Sequence, residues 1–405
     1  MFASKVKQEA AAVKDQVIEW RRFLHQNPEL SFYEKNTADF IYETLEAMGS
    51  FSLSRPTENS VTARLSGSGG GKVLAIRADI DALPIQEETG LEFSSRSDGV
   101  MHACGHDGHT AMLLGAAKVL SSIKNELSGE ILFIFQHAEE LFPGGAEELV
   151  EAGVMDGVDA VIGTHLWSPL ETGRAGIIYG PMLASPDTFY LTITGKGGHG
   201  GLPHETVDSI AIGSQVVTNL QHIVSRNIDP LEQLVISVTK FTGGTTHNVI
   251  PGSLEMMGTV RTFNPELRQK VPQLMERVIK GITEAHGGSF KFSYEYGYRP
   301  VINHDSVTRI IHDTALKLYG ENGVELMRPN MVGEDFSAYL QKAEGCFFFT
   351  GAGNKEKGIT YPHHHAKFSI DEESLGMGVE MFVGTALQFL SVPSAESLVK
   401  QEDHS

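Results

Sequence analysis

The chain has 405 residues, 41% of them hydrophobic, enough for a substantial core and for two domains or one large domain with an insertion. Its net charge of −19, with a pI near 5.3, argues against nucleic acid or an anionic membrane as a main partner. Two cysteines, Cys104 and Cys346, are too few for a secreted disulfide framework. The N-terminal stretch has no apolar core of signal-peptide length, and no apolar run approaches the roughly eighteen residues of a membrane span, so the cytoplasm is the expected location.

In chain order, Val6, Ala10, Val13, Val17, Trp20 and Leu24 fall on one face of an amphipathic helix. A second helical pattern covers Thr37 to Met48. Val61, Ala63 and Leu65 alternate as a strand. The loop Gly67 to Gly71 is no phosphate cradle, because no Gly-Lys-Ser/Thr follows at the required spacing. Val73 to Ala78 and Ile131 to Phe135 read as buried strands. They end in Asp79-Ile80-Asp81 and in Gln136-His137-Ala138-Glu139-Glu140. Helices are expected around Thr110 to Leu120 and Ala146 to Ala152, and a third strand, Ala160 to Gly163, ends at Thr164-His165. Alternating strands and helices predict an α/β domain with a mixed, mainly parallel sheet, whose ligands sit beyond the carboxyl ends of its strands.

The rhythm changes after Ser185. Phe189, Leu191 and Ile193 mark a strand, and Ile210, Val217, Leu220 and Val224 a helix. Leu234 to Phe241 and Leu254 to Phe263 are strands, Leu267 to Ile282 a helix, and Phe290 to Tyr296 a last strand. Strand-helix-strand-strand-helix-strand is the ferredoxin-like order. The expected organisation is one domain made of 1–185 and 297–405, interrupted by a ferredoxin-like α+β insertion, 186–296. Cys346 to Thr350 restores the α/β pattern, a helix carrying Leu375, Val379, Phe382, Ala386 and Leu390 closes it, and Ser391 to Ser405 is expected to be a loose polar tail.

One stretch concentrates chemistry: Gly99-Val100-Met101-His102-Ala103-Cys104-Gly105-His106-Asp107-Gly108-His109. Thiol, imidazole and carboxylate together suit a divalent metal such as zinc. Cys104 and His106 can face one point, which Glu140 and His165 reach from neighbouring strand ends and His364 from the returning half. Two half-sites sharing bridging ligands would form a two-metal centre suited to hydrolysis. Adjacent Glu139 and Glu140 would repel at a buried strand end unless a cation compensates. Their side chains diverge, so one can ligate while the other acts as a base. His102 and His109 are expected to hydrogen-bond within the loop, Cys346 to be core, and Asp335 to cap a helix. His199, on a glycine loop, Asn248 and Arg261, a fork for a carboxylate, are further candidates.

These stretches resemble the di-metal aminoacylase/carboxypeptidase family, of M20 type, and its branch of amidohydrolases acting on N-acyl amino acids. The resemblance rests on Arg77 to Pro84, Met101 to His109, Phe135 to Glu140 and Gly163-Thr164-His165. It continues through Gly197 to Pro203, Asn248 to Pro251, Gly258 to Phe263, Gly333 to Ser337 and His364 to Phe368. It implies that Cys104, His106, Glu140, His165 and His364 hold two divalent ions, zinc first, with cobalt or manganese as alternatives. It implies Glu139 as general base, with Asp81 supporting the ligands from behind. His199 would be offered by the inserted lid of one subunit to the partner's site, with Asn248 and Arg261 near the substrate carboxylate, in a homodimer or homotetramer. The expected reaction is hydrolysis of an N-acyl-L-amino acid. The alternatives are a carboxypeptidase or dipeptidase, or a deacetylase of another N-acetylated amino acid such as N-acetyl-diaminopimelate or N-acetylcysteine. A metal- or peptide-binding module and a thiol hydrolase using Cys104 are rivals of other kinds.

Three departures stand out. Asp79-Ile80-Asp81 replaces the His-X-Asp of other branches, so Asp79 is doubtful as a ligand and Cys104 is expected to bridge. His137 and Ala366 each replace a common proline. His364 is preferred over His363 and His365 because it lies four residues before Phe368.

Overall fold

The N-terminal apolar spacing becomes α1 (Phe2–Gln26), whose buried face is Val6, Ala10, Val13, Val17, Trp20 and Leu24. The computed structural model describes residues 2–390. The tail Ser391 to Ser405, expected to be loose, lies outside the described residues. The chain forms two compact units. The first takes the chain up to Gly180, Ile302–Pro329, and Asp335 onward; the second takes Pro181–Val301 with Asn330–Glu334.

In the first unit α2 (Lys35–Met48), β1 (Ser52–Ser54), β2 (Val61–Ser66) and β3 (Lys72–Asp79) follow α1. Next come α3 (His106–Ser122), β4 (Gly129–Gln136), α4 (Gly145–Glu151), β5 (Ala160–Glu171) and β6 (Ala175–Ile177). The chain passes to the second unit through β7 (Gly180–Leu183). That unit holds β8 (Ser185–Thr194), β9 (Gly198–His199), α5 (Ser209–His222), β10 (Leu234–Thr242), β11 (Val249–Ile250), β12 (Ser253–Thr262), α6 (Pro265–Ala285) and β13 (Ser289–Glu295). After β14 (Val301–Asn303), the first unit resumes with α7 (Asp305–Tyr319), β15 (Val324–Leu326), β16 (Glu344–Gly353) and α8 (Glu373–Leu390).

The first unit's sheet has the order β1-β2-β4-β3-β5-β16-β6-β15. Its centre, β4-β3-β5-β16, is parallel, while β1, β2 and β6 add antiparallel edges. The sheet is thus mixed and mainly parallel. Period-two alternation divides each strand between faces. Ile131, Phe133 and Phe135 of β4 and Cys346 and Phe348 of β16 enter the core made with α1, α3 and α8. Burying a side chain of this size contributes about 1.5–3 kcal/mol.

Two boundaries differ from the sequence reading, and both bear on the site. The metal-like stretch is not all loop: α3 begins at His106, because Gly105 takes φ 100, a conformation open to glycine, and turns the chain directly into the helix. His165 is not at a strand end, because β5 continues to Glu171 by pairing with β16.

The second unit's sheet is antiparallel in the order β10-β12-β8-β13, the ferredoxin-like arrangement. Its core uses Phe189, Leu191 and Ile193 of β8 against Ile212, Val216 and Leu220 of α5 and Val271 and Ile279 of α6. Asp208 caps α5 by accepting from the amides of Ile210 and Ala211. Ile210, expected on the core face, lies in the first turn and is exposed.

Candidate metal centre

At the end of β3 the chain leaves the sheet with Asp79 and Asp81, both fully buried, and they do different jobs. Asp79 is spent on structure: Arg77 Nη1 donates to its Oδ2 at 2.6 Å, and His109 Nδ1 lies 2.6 Å from its Oδ1. His109 Nε2 accepts from the Leu166 amide at 2.8 Å, so both its nitrogens are used. Asp81 reaches forward. Its Oδ1 is 3.1 Å from His106 Nδ1, and its Oδ2 accepts from the Glu140 amide at 3.0 Å and from Ser31 Oγ at 2.7 Å. The Asp81 carbonyl is also 3.0 Å from His106 Nδ1. A carbonyl can only accept, so Nδ1 carries a proton, and Nε2 is the nitrogen turned toward the other candidate ligands.

His106 Nε2 is buried without a hydrogen bond and stands 3.9 Å from Glu140 Oε1 and 4.0 Å from Glu139 Oε2. Around them, Cys104 Sγ lies 3.3 Å from His165 Nε2, and His364 Nε2 lies 3.1 Å from Glu140 Oε1. Ligand atoms of Cys104, His106 and His165 all lie within 4.8 Å of one another, as do those of Cys104, Glu140 and His364, and those of His106, Glu139 and Glu140. Three overlapping clusters joined through Cys104, His106 and Glu140 are a donor set for two cations. Orphaned, converging, oriented donors are what a metal satisfies, so these residues fit the group.

The electrostatics agree. Burial disfavours a charged His106 imidazole, but Asp79 and Asp81 outweigh it and raise the pKa to about 10, so without a cation the ring is also protonated at Nε2, and a metal binding there would displace that proton. Burial, then Glu140 and Glu139, pushes the Cys104 thiol well above its ordinary value. Burial drives His165 well below. An excess of carboxylate thus surrounds a thiol that will not ionise alone, a field that a bound cation reverses.

Among the three consecutive histidines the roles separate. His363 is stacked on Trp167 at 4.8 Å, its Nε2 accepts from the Ser168 amide at 3.2 Å, and its Nδ1 is 4.0 Å from Cys104 Sγ. His365 stacks on Tyr361 and accepts from the Lys367 amide. His364 is the one facing Glu140, with a φ of 65, a strained conformation for a non-glycine residue.

Several expectations change here. His102 is buried with both ring nitrogens unpartnered rather than bonded within the loop, and burial lowers its pKa to about 4. Asp335 is no cap: Arg77, Gln136 and the Ala146 amide hold its carboxylate. Glu139 and Glu140 do not diverge but approach the same imidazole. The break occurs at Ala138, which has φ 50, a conformation costing roughly 1–2 kcal/mol without glycine.

His199, Asn248 and Arg261 belong to the second unit. His199 on β9 is exposed and pairs across to Val249 on β11, and the Gly200 amide donates to the Asn248 carbonyl at 2.8 Å. One short ribbon therefore carries both His199 and Asn248. Arg261 on β12 is half-buried, its Nε donating to Thr259 Oγ1 at 3.1 Å.

Sequence reasoning missed the support beneath α3. Arg21, fully buried, donates to Asp107 Oδ2 at 2.8 Å, His25 Nδ1 lies 2.9 Å from the same oxygen, and His25 Nε2 is 3.3 Å from Glu87. Arg21 and His25 fall on the α1 stripe beside Trp20 and Leu24, and polar residues on an apolar stripe were the available signal.

The model of peptidase family M20/M25/M40 matches residues 75–388. An N-acyl-L-amino acid amidohydrolase of Geobacillus stearothermophilus is 63% identical over 328 residues, 81% of this chain and 86% of that one. Thermostable carboxypeptidase 1 of Saccharolobus solfataricus is 41% identical over 394 residues, 96% of this chain and 99% of that one. A crystal structure of a dinuclear metal-binding M20 peptidase from Bacillus subtilis superposes with a TM-score of 0.83 at 38% identity, covering 95% of this chain and all of that one.

Proposed function

The chain belongs to peptidase family M20/M25/M40, and from that membership we propose that it is a metal-dependent amidohydrolase that splits N-acyl-L-amino acids into a carboxylate and a free amino acid. The observation that carries the reading is the convergence of Glu139 and Glu140 on His106 Nε2, a buried nitrogen with no hydrogen-bond partner. The 63% identical relative supports the substrate class.

Cys104, His106, Glu140, His165 and His364 would hold two divalent ions, with zinc as the first choice and cobalt or manganese as alternatives. Bound there, the ions would polarise the acyl carbonyl and lower the pKa of the attacking water. Asp81 keeps His106 Nδ1 protonated, so that Nε2 stays available. Glu139 takes the proton from the water and passes it to the leaving amine. His199, offered from the second unit acting as a lid, stabilises the oxyanion, a task worth about 3–4 kcal/mol. Arg261 and Asn248 hold the substrate's α-carboxylate, the guanidinium as a fork. Because the family resemblance assigns His199 to a partner's site, a homodimer, alone or paired into a tetramer, is the working assembly. Among the described residues no helix is long and apolar enough to cross a membrane, and the two cysteines are free, which suits the cytoplasm.

The test is hydrolysis of N-acetyl-L-methionine by purified protein before and after EDTA, and again after zinc, cobalt or manganese is restored. Loss on chelation and recovery on one ion is expected. Activity that survives verified metal removal would overturn the reading in favour of Cys104 as nucleophile. The carboxypeptidase relative keeps a second reading in view: faster turnover of Ala-Met than of N-acetyl-Met would select it, and preference for N-acetylcysteine would select a narrower deacetylase.

A further inference from the structure

We infer that Glu34 is a positioning residue for Glu139, gripping the backbone kink that aims the general base. The inference rests on the reading of Glu139 as that base.

Glu34 precedes α2 and is fully buried. Its Oε1 accepts from the Ala138 amide at 2.7 Å, and its Oε2 is buried with no hydrogen-bond partner. A buried carboxyl with one oxygen spent on a distant backbone amide is costly unless that amide matters. Ala138 is where the chain from β4 turns left-handed, at φ 50. Its carbonyl accepts from the Gly145 amide at 3.0 Å, and Gly145 has no room for a Cβ because the His137 carbonyl already touches that position. Ala138 is therefore held at both ends, by Glu34 on its N–H and by the start of α4 on its C=O. Two residues on, the Glu140 amide is held by Asp81 Oδ2 at 3.0 Å. The N–H groups of Ala138 and Glu140, the neighbours of Glu139, are thus each bound by a buried carboxyl group, which restrains the backbone that carries Glu139 toward His106.

Burial and the nearby Asp81 raise the Glu34 carboxyl to about 8, so its protonated form is present at neutral pH. Glutamine resembles that form: one carbonyl acceptor for Ala138 and an NH2, with two N–H donors, in place of the O–H. Alanine removes the grip. Strained backbone at a functional site persists only while its surroundings enforce it.

The experiment compares Glu34→Ala and Glu34→Gln with the wild-type holoenzyme. It measures kcat, KM and metal content, and includes a crystal structure of Glu34→Ala. The expected result is a fall in kcat of about 30–100-fold in Glu34→Ala, part of what a general base contributes, with KM within about threefold and metal content unchanged. Glu34→Gln should return kcat to within about threefold of wild type, and Ala138 should leave the left-handed region in the Glu34→Ala crystal. The inference is overturned if Ala138 keeps its conformation, if kcat survives in Glu34→Ala, if metal is lost in step with activity, or if Glu34→Gln is as impaired as Glu34→Ala. The base reading fails separately, through normal turnover by Glu139→Gln.

Discussion

Replacing Asp81 by asparagine should be no milder than replacing it by alanine. Both carboxylate oxygens of Asp81 face donors: Oδ1 faces the protonated Nδ1 of His106 at 3.1 Å, and Oδ2 faces the Glu140 amide at 3.0 Å and Ser31 Oγ. Asparagine supplies one acceptor and one NH2, so one of these donors must meet another donor. In Asp81→Ala, His106 still has the Asp81 carbonyl at 3.0 Å, which preserves the tautomer. What it loses is the carboxylate that makes Nε2 more basic. Such supporting groups typically contribute 10–100-fold in metal affinity, about 1.4–2.7 kcal/mol. The stripped Glu140 amide adds about 1–3 kcal/mol of lost folding stability. The assay is competition for zinc against a chromophoric chelator, with urea unfolding of the metal-free forms beside it. Metal affinity in Asp81→Asn equal to wild type would refute the claim that this carboxylate orients and polarises His106.

Glu139→Gln should keep its full metal content while kcat falls about 10²–10⁴-fold, the range for a lost general base; normal turnover would remove Glu139 from that role. Asp107→Ala leaves the fully buried Arg21 and the buried His25 without their shared carboxylate, and should cost about 3–5 kcal/mol in urea unfolding. A loss below about 1 kcal/mol would mean that the α3 turn does not depend on this network. The Glu34 carboxyl, raised from 4.5 to about 8, keeps a proton in the fold that the unfolded chain has released. Its stabilising contribution is therefore complete below about pH 4.5 and lost as pH rises through 8, at up to about 1.4 kcal/mol per pH unit. Since Glu34→Gln does not titrate, its urea midpoint should gain on wild type between about pH 5.5 and pH 8, and parallel midpoints would show that Glu34 is ionised in the fold.

The parts of this protein legible in its sequence are those governed by local periodicity. The α1 stripe, the buried strands ending at Asp79 and Gln136 and the alternation of β8 all follow from burial on one face. The donors at Cys104, His106, Glu140, His165 and His364 could be nominated because residue type and family pattern mark them, and the geometry brings all five into linked clusters. Less legible was anything depending on contacts across long stretches of chain. His165 in mid-strand requires the partner β16, some 180 residues later. Asp335 looks like a helix cap until Arg77 is seen to claim it. Arg21 and His25 were marked only by their place on the apolar α1 stripe, and Glu34 carries no motif that separates it from a solvated charge, since only folding makes it buried.

The same distinction explains how two adjacent carboxylates serve one site. In a continued β-strand Glu139 and Glu140 would point to opposite faces of the sheet, and one of them would be lost to the site. β4 ends at Gln136, the chain turns left-handed at Ala138 and bends through Glu139 and Glu140 instead of continuing extended, and both carboxylates come within about 4 Å of the same imidazole nitrogen. Two negative charges that close are unstable in a buried pocket without a cation. The kink gathers the charge that a bound cation would neutralise. Within this arrangement Glu34 and Asp81 give the kink support of its own, so the site can wait in shape for its ions instead of collapsing when they leave.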